Sequence, residues 1–314
     1  MKYAMLAVAI MAAAITGCGG GAQVIHVGAG AGVPWGQPYV DGMNGAENLA
    51  FDGAGSLFVT GLDGRVYRIE PTGNPYRGRI AAERKLGTMC LGIETGPGGM
   101  VYVGVADEKG RRRIGRMTRN LSDLVYLTGP VEGLNGFARD SRGYLYFASS
   151  NERLVCARGK ILRCMMGDDG SFKNPEVVVD KTGMANGLAF SPDESVLYYT
   201  ETLDGLWSFD MKTREKKMVF SPGSFFHVTD DVTADGRGGL WICWNSGLAV
   251  VHVRDGKASA YRVGDLKAPS SCQFGLGRGF RPDFLYITEF GLKGRSFTMN
   301  GRGVWVLPVS DLDR

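Results

Sequence analysis

An apolar triplet recurs six times along this chain: Leu57-Phe58-Val59, Val101-Tyr102-Val103, Leu145-Tyr146-Phe147, Leu197-Tyr198-Tyr199, Leu240-Trp241-Ile242 and Leu285-Tyr286-Ile287. The first residues of successive triplets are 44, 44, 52, 43 and 45 apart. Turn-forming runs such as Asp52-Gly53-Ala54-Gly55, Asp140-Ser141-Arg142-Gly143 and Asp235-Gly236-Arg237-Gly238 precede them. A unit of this length cannot bury its own apolar faces. Six in series bury them against one another, and with strand and turn signals in each the period predicts a β-propeller. The 48 glycines suit many tight hairpins, and no long helical periodicity follows the first 18 residues. The expected fold is all-β: one six-bladed propeller of four-stranded blades over residues 23–310.

The first blade reads as strands at 48–51, 57–60, 66–69 and 79–86. The sixth has only three, at 272–274, 285–288 and 304–307. The apolar segment 23–27 has no unit of its own, so it is expected to supply the missing strand and close the ring, removing two open edges. In such a blade the first strand is innermost, and its beginning faces the central channel at one rim. The connection between second and third strands returns to that rim. These connections are long at 104–113, 149–160 and 289–302, which places them over the same face.

Residues 1–18 have the form of an export signal. Lys2 precedes an apolar stretch too short to span a membrane comfortably, and Ile15-Thr16-Gly17-Cys18 closes it. Small residues before a cysteine resemble a bacterial lipobox, so Cys18 is the expected lipidation site. The protein is expected in the cell envelope, touching membrane through a lipid anchor only. Five cysteines then remain, an odd number; Cys156 and Cys164 flank a hairpin and are the one candidate pair. The net charge of +4 with no dominant basic stripe argues against a nucleic-acid partner. A monomer acting on a small molecule is expected.

About ten residues upstream of each triplet stand Glu47, Leu91, Asn135, Asn186, Asp230 and, further back in the sixth unit, Ser270. Four of these carry strong oxygen donors where a packed strand prefers an apolar residue. Two carboxylates with two amides suit Ca²⁺, with another divalent cation as an alternative. Turn chemistry alone would explain Asn135-Gly136 or Asn186-Gly187 singly. It explains neither Glu47 nor four polar residues in one register.

Glu47-Asn48-Leu49-Ala50-Phe51-Asp52, Met184-Ala185-Asn186-Gly187-Leu188-Ala189-Phe190-Ser191-Pro192-Asp193 and Pro269-Ser270-Ser271-Cys272-Gln273-Phe274-Gly275 resemble the gluconolactonase/regucalcin (senescence marker protein, LRE-like) family, over about residues 40–310. The resemblance implies a calcium-dependent propeller hydrolase, often a lactonase. It implies metal binding by Glu47, Asn186 and Asp230, with Asn135 on metal or substrate. There are two departures. Thr229-Asp230-Asp231 stands where the family usually has Pro-Asp-Gly, and Gly133 stands where sugar-lactone enzymes carry an arginine.

The chemistry such a site permits is metal-assisted hydrolysis of a lactone or related ester, with Asp230 or Asp231 taking the proton of the attacking water. His227 is a further candidate acid or base, and Ser270 and Trp244 are candidate substrate contacts with Asn135. Glu201 and Glu289 begin rim loops. Leu154, Val155, Phe290, Leu292, Phe297 and Met299 are expected to form an apolar lid, and Lys109-Gly110-Arg111-Arg112-Arg113 a solvated hairpin tip. Two alternatives stay open: a paraoxonase-like aryl esterase or phosphotriesterase, and a non-catalytic binding propeller with structural calcium.

Overall fold

Each apolar triplet lies in the second strand of a blade and, the half-buried Tyr198 apart, is buried on both sides, because every blade is sandwiched between two others. The computed structural model describes residues 24–27, 36–150, 158–167, 172, 175–221, 228–245, 249–293, 298–299 and 301–309. Blade one comprises Ala46–Phe51, Leu57–Gly61, Arg65–Pro71 and Gly78–Lys85. Blade two runs from Met89–Thr95 through Val101–Ala106 and Arg112–Met117 to Val125–Tyr126, and blade three from Leu134–Arg139 through Tyr144–Ser149 and Gly159–Met165 to Glu176–Thr182. Blade four holds Ala185–Phe190, Val196–Glu201, Gly205–Asp210 and Lys216–Phe220. Blade five holds Thr229–Ala234, Leu240–Trp244, Ala249–Arg254 and Lys257–Tyr261. Blade six has Pro269–Phe274, Phe284–Glu289 and Gly303–Pro308. Among the described residues the only helical turn is Pro97–Gly99, and none of them forms a helix long and apolar enough to cross a membrane.

The ring closes through an N-terminal strand, but not the one expected. Gln37–Asp41 pairs antiparallel with Gly303–Pro308 and is the fourth strand of blade six. Val24–Val27 instead lies parallel to Lys257–Tyr261, as a fifth strand on the outside of blade five. Tyr39 decides the closure physically: it is buried with its ring edge-on to Tyr286 of blade six, in a cluster that also takes Leu57, Val59 and Ile69 of blade one. Sequence hydropathy favours 23–27, which is more apolar, but Val24–Val27 pairs at the outer edge of blade five and not at the open edge of blade six. A second difference concerns 104–113. Strands occupy half of that stretch, and the connection is a tight turn in which Asp107 accepts the backbone N–H groups of Lys109 and Arg111.

Six apolar clusters hold the ring, one for each pair of adjacent blades. Burying a large apolar side chain is worth about 1.5–3 kcal/mol, so each interface is a substantial share of the stability.

Every innermost strand carries one extra residue near its start. Pairing jumps from Ala46 to Leu49, Cys90 to Ile93, Leu134 to Phe137, Ala185 to Leu188, Thr229 to Val232 and Pro269 to Cys272. These are six β-bulges in one register, and a bulge re-aims the side chains it carries. The bulge residues are Glu47-Asn48, Leu91-Gly92, Asn135-Gly136, Asn186-Gly187, Asp230-Asp231 and Ser270-Ser271. The shared register that the spacing predicted for Glu47, Leu91, Asn135, Asn186, Asp230 and Ser270 is therefore the first position of a sixfold bulge.

Candidate active site at the bulged rim

The recurring Asn-Gly pairs have a packing cause rather than a turn cause. Gly136 and Gly187 both have ordinary negative φ. A Cβ on Gly187 would stand 2.0 Å from Asp231 Oδ1 and 2.4 Å from its Cα, so glycine is required where the bulge of blade five presses on that of blade four. This close approach brings Asn186 against Asp230: the Asn186 Nδ2 donates to Asp230 Oδ1 at 2.7 Å and to Thr202 Oγ1 at 3.3 Å. From the end of blade five's second strand, Asn245 Nδ2 reaches Asp230 Oδ2 at 3.4 Å. Asp231 is held differently. Its Oδ1 accepts the Val232 N–H at 2.8 Å, and its Oδ2 accepts the Ser271 hydroxyl of blade six.

Two hydroxyls that sequence reasoning missed carry these residues across blade boundaries. Thr200 of blade four donates to the Asp230 carbonyl and accepts the Gly187 N–H at 2.9 Å. Thr288 of blade six donates to the Glu47 carbonyl at 2.8 Å and accepts the Ser271 N–H at 2.8 Å. Both are the residue that follows the triplet's last position, in Leu-Tyr-Tyr-Thr and Leu-Tyr-Ile-Thr, and that recurrence is the signal that marks them. Asn245 was also missed, and Arg112, expected in a solvated hairpin tip, is buried at the start of a strand instead; neither stands in the repeated register.

The site is a buried acidic cluster. Burial, then the charges of Asp230 and Asp231, hold the Glu47 carboxyl well above the usual carboxylate range, and the Arg112 guanidinium opposes that rise. Burial and the neighbouring Asp231 charge push Asp230 up to about 8, against hydrogen bonds from Asn245 and Asn186. Asp231 is raised to about 7 by burial, against its bonds from Ser271 and Val232, with a further push from Glu94. Glu94 lies on the same innermost strand as Leu91 and is itself raised to about 7, chiefly by burial. Such mutually repelling buried carboxylates are what a cation relieves.

The donor set fits a hard divalent cation. Glu47 Oε2 and Asn135 Oδ1 are buried without a hydrogen-bond partner, which normally costs about 1–3 kcal/mol for each such atom. Both are oxygens at the first bulge position. Among the described residues no group of three or more His, Cys, Asp and Glu stands close enough to cage a metal unaided. Amide oxygens would therefore have to complete any shell built on Glu47 and Asp230.

Other expected residues fall elsewhere. Ser270 is buried, and its hydroxyl donates to the Ala46 carbonyl at 2.7 Å and lies 2.9 Å from Thr288 Oγ1, tying blade six to blade one. Trp244 packs in the core with Leu206, Phe220 and Val232, because its strand position faces blade four rather than the channel. Glu289 is buried and accepts N–H groups from Lys267, Arg302 and Trp305, while Glu201 accepts the Gly183 N–H. His227, Cys18, Cys156, Leu154, Val155 and Phe297 lie outside the described residues. Of the remaining lid residues, Leu292 and Met299 pair in a two-stranded hairpin, Leu292–Lys293 with Thr298–Met299. At Gly133, φ is +58° and a Cβ would meet the Ser150 carbonyl oxygen at 1.9 Å, so no arginine fits there.

The SMP-30/Gluconolactonase/LRE-like region model matches residues 48–290. The chain belongs to that family. Curated relatives include regucalcin from Sus scrofa, 25% identical over 154 residues, covering 42% of this chain and 50% of the relative. Lactonase drp35 from Staphylococcus aureus is 25% identical over 182 residues, covering 54% and 51%. The chain thus spans about half the length of these curated relatives. Among solved structures, a luciferin-regenerating enzyme superposes with TM-score 0.65 at 18% identity, covering 86% of this chain and 93% of that one. The calcium-binding protein regucalcin from Agrobacterium tumefaciens str. C58 superposes with TM-score 0.65 at 15% identity, covering 84% and 90%. At these identities the structural likeness shows the propeller fold alone.

Proposed function

We propose that the protein is a divalent-cation-dependent hydrolase, of the lactonase type that its family contains, acting on a lactone or related ester. The observation that carries this reading is the pair of buried, unpartnered oxygens, Glu47 Oε2 and Asn135 Oδ1, on the rim that also holds the Asn186–Asp230 contact. Glu47, Asn186 and Asp230 would hold the cation, Ca²⁺ by their oxygen chemistry, with Asn135 facing metal or substrate. When bound, the ion would polarise the scissile carbonyl as a Lewis acid.

The rest of the chemistry falls to the chain. Asp230, whose buried carboxyl would regain its charge beside the cation, would take a proton from an attacking water. Both carboxylates accept a hydrogen bond on each oxygen, but those of Asp231 come from the next backbone N–H and from Ser271 of the adjacent blade, which suits it to bracing more than to proton transfer. Asp231 would instead fix the bulge of blade five between blades four and six. The Asn245 and Asn186 amides orient the Asp230 carboxylate.

Asp230→Asn and Asp231→Asn test the assignment. With Ca²⁺ at saturation, D230N should lose about 10²–10⁴ in kcat, and D231N far less. Equal losses, or a D230N activity restored by added Ca²⁺, would reverse the roles. Export with lipidation at Cys18 stands beside this as a proposal. Incorporation of labelled palmitate that disappears in C18S supports it, and a wild type that takes up no label refutes it.

A further inference from the structure

We propose that Arg112 anchors the substrate, and that the substrate is anionic, carrying a carboxylate near the bond that is cleaved. The reaction part of this inference rests on the hydrolase reading above; the binding part does not.

Blade two contributes Leu91 to the ring of bulge positions and so places no oxygen there. The same blade sends Arg112 to the rim instead, from the first position of its third strand. Arg112 is buried although its guanidinium stays charged in proteins. Its backbone is held on two sides: it pairs with Ala106, and its carbonyl accepts the Val131 N–H at 2.8 Å. From there Nη1 donates to the Leu134 carbonyl at 3.2 Å, the residue immediately before Asn135. The guanidinium is thereby stationed over the junction of blades two and three. Its charge also reaches Glu47, opposing the rise of that carboxyl.

The remaining surroundings explain why this charge selects an anion. Glu47, Asn135 and Asp230 present acceptor oxygens. The amide hydrogens of Asn186 and Asn245 go to Asp230. A substrate carboxylate needs donors, and a planar fork with five N–H groups, matched to carboxylate geometry, is what Arg112 supplies. The role does not require an otherwise unpaired guanidinium, because such a fork serves several acceptors at once.

The test compares γ-carboxy-γ-butyrolactone with unsubstituted γ-butyrolactone in the wild type, R112Q and R112K. The measured quantity is the ratio of kcat/KM for the charged over the neutral lactone. The wild type should prefer the charged one. R112Q should reduce that ratio on the order of 10- to 100-fold, and R112K should fall between, keeping the charge but losing the fork. Equal loss on both lactones would make Arg112 a structural counter-ion and overturn the proposal; so would an unchanged ratio. If R112Q does not fold, R112K decides by the same ratio. If the wild type hydrolyses neither lactone, the hydrolase reading fails separately. Calorimetric binding of cyclopentanecarboxylate then decides: weaker binding to R112K than to wild type supports the anchor, and equal or absent binding to both overturns it.

Discussion

Removing metal should make this protein unusually sensitive to alkaline pH. Asp231 rises from an ordinary 3.8 to about 7, and Asp230 from 3.8 to about 8, both chiefly through burial. An acid whose folded value is raised keeps its proton in the folded state after the unfolded chain has lost it. Stability is then fully present below about pH 4 and falls as pH rises towards 7 or 8. At about 1.4 kcal/mol per tenfold, Asp231 alone accounts for about 4 kcal/mol. Asp230 adds to this, though not independently, since part of its rise is repulsion from Asp231. A loss of about 4–8 kcal/mol is comparable with the whole stability of a typical domain. After treatment with a chelating resin, melting followed by circular dichroism should drop by about 10 °C or more between pH 5 and pH 8.5. Saturating Ca²⁺ should flatten the profile by supplying the opposite charge. D231N should raise the metal-free melting temperature at pH 8.5 relative to the wild type. A metal-free profile that is flat or rises with pH would refute the argument, because it would mean these carboxylates are not held as a repelling buried group.

Two further outcomes follow from how the ring is closed and braced. A chain begun at residue 31 lacks Val24–Val27, only an added outer strand, and should melt cooperatively within a few degrees of the full protein; one begun at residue 42 loses Gln37–Asp41 with buried Tyr39 and Val40, and should lose its cooperative transition by calorimetry. Thr200→Val should weaken Ca²⁺ binding by about tenfold in titration calorimetry and destabilise by about 1–3 kcal/mol through the orphaned Gly187 N–H; Thr95→Val, which removes a buried bond to the Phe51 carbonyl away from the bulges, should destabilise without changing that affinity.

The fold was legible because its signal repeats. Six triplets at a near-constant interval specify six blades, and the oxygen-bearing residues stand at a fixed offset from them, so their shared register survives without any knowledge of contacts. The bulge behind that register was not legible, since one extra residue per strand changes spacing too little to notice. The closing strand was misplaced for a physical reason. Residues 23–27 are more apolar, but strand order in a ring is decided by interblade fit, and Tyr39 has a partner in Tyr286. Ser270 and Trp244 were read from their nearness to the rim, whereas their side chains point between blades. Arg112 and Asn245 come from second- and third-strand ends, where no repeat marks them. Thr200 and Thr288 were marked by the repeat, yet a threonine in a strand reads first as ordinary β-propensity.

The proposed hydrolase needs one divalent cation, held by Glu47, Asn186 and Asp230, for lactone hydrolysis. The most direct test is to titrate Ca²⁺ into metal-free protein, recording calorimetric binding and γ-carboxy-γ-butyrolactone hydrolysis on the same sample. One site per chain should fill, activity should rise in proportion to its occupancy, and Glu47→Gln should weaken both together. Hydrolysis that is complete without metal, or a bound Ca²⁺ whose occupancy leaves the rate unchanged, would contradict the account.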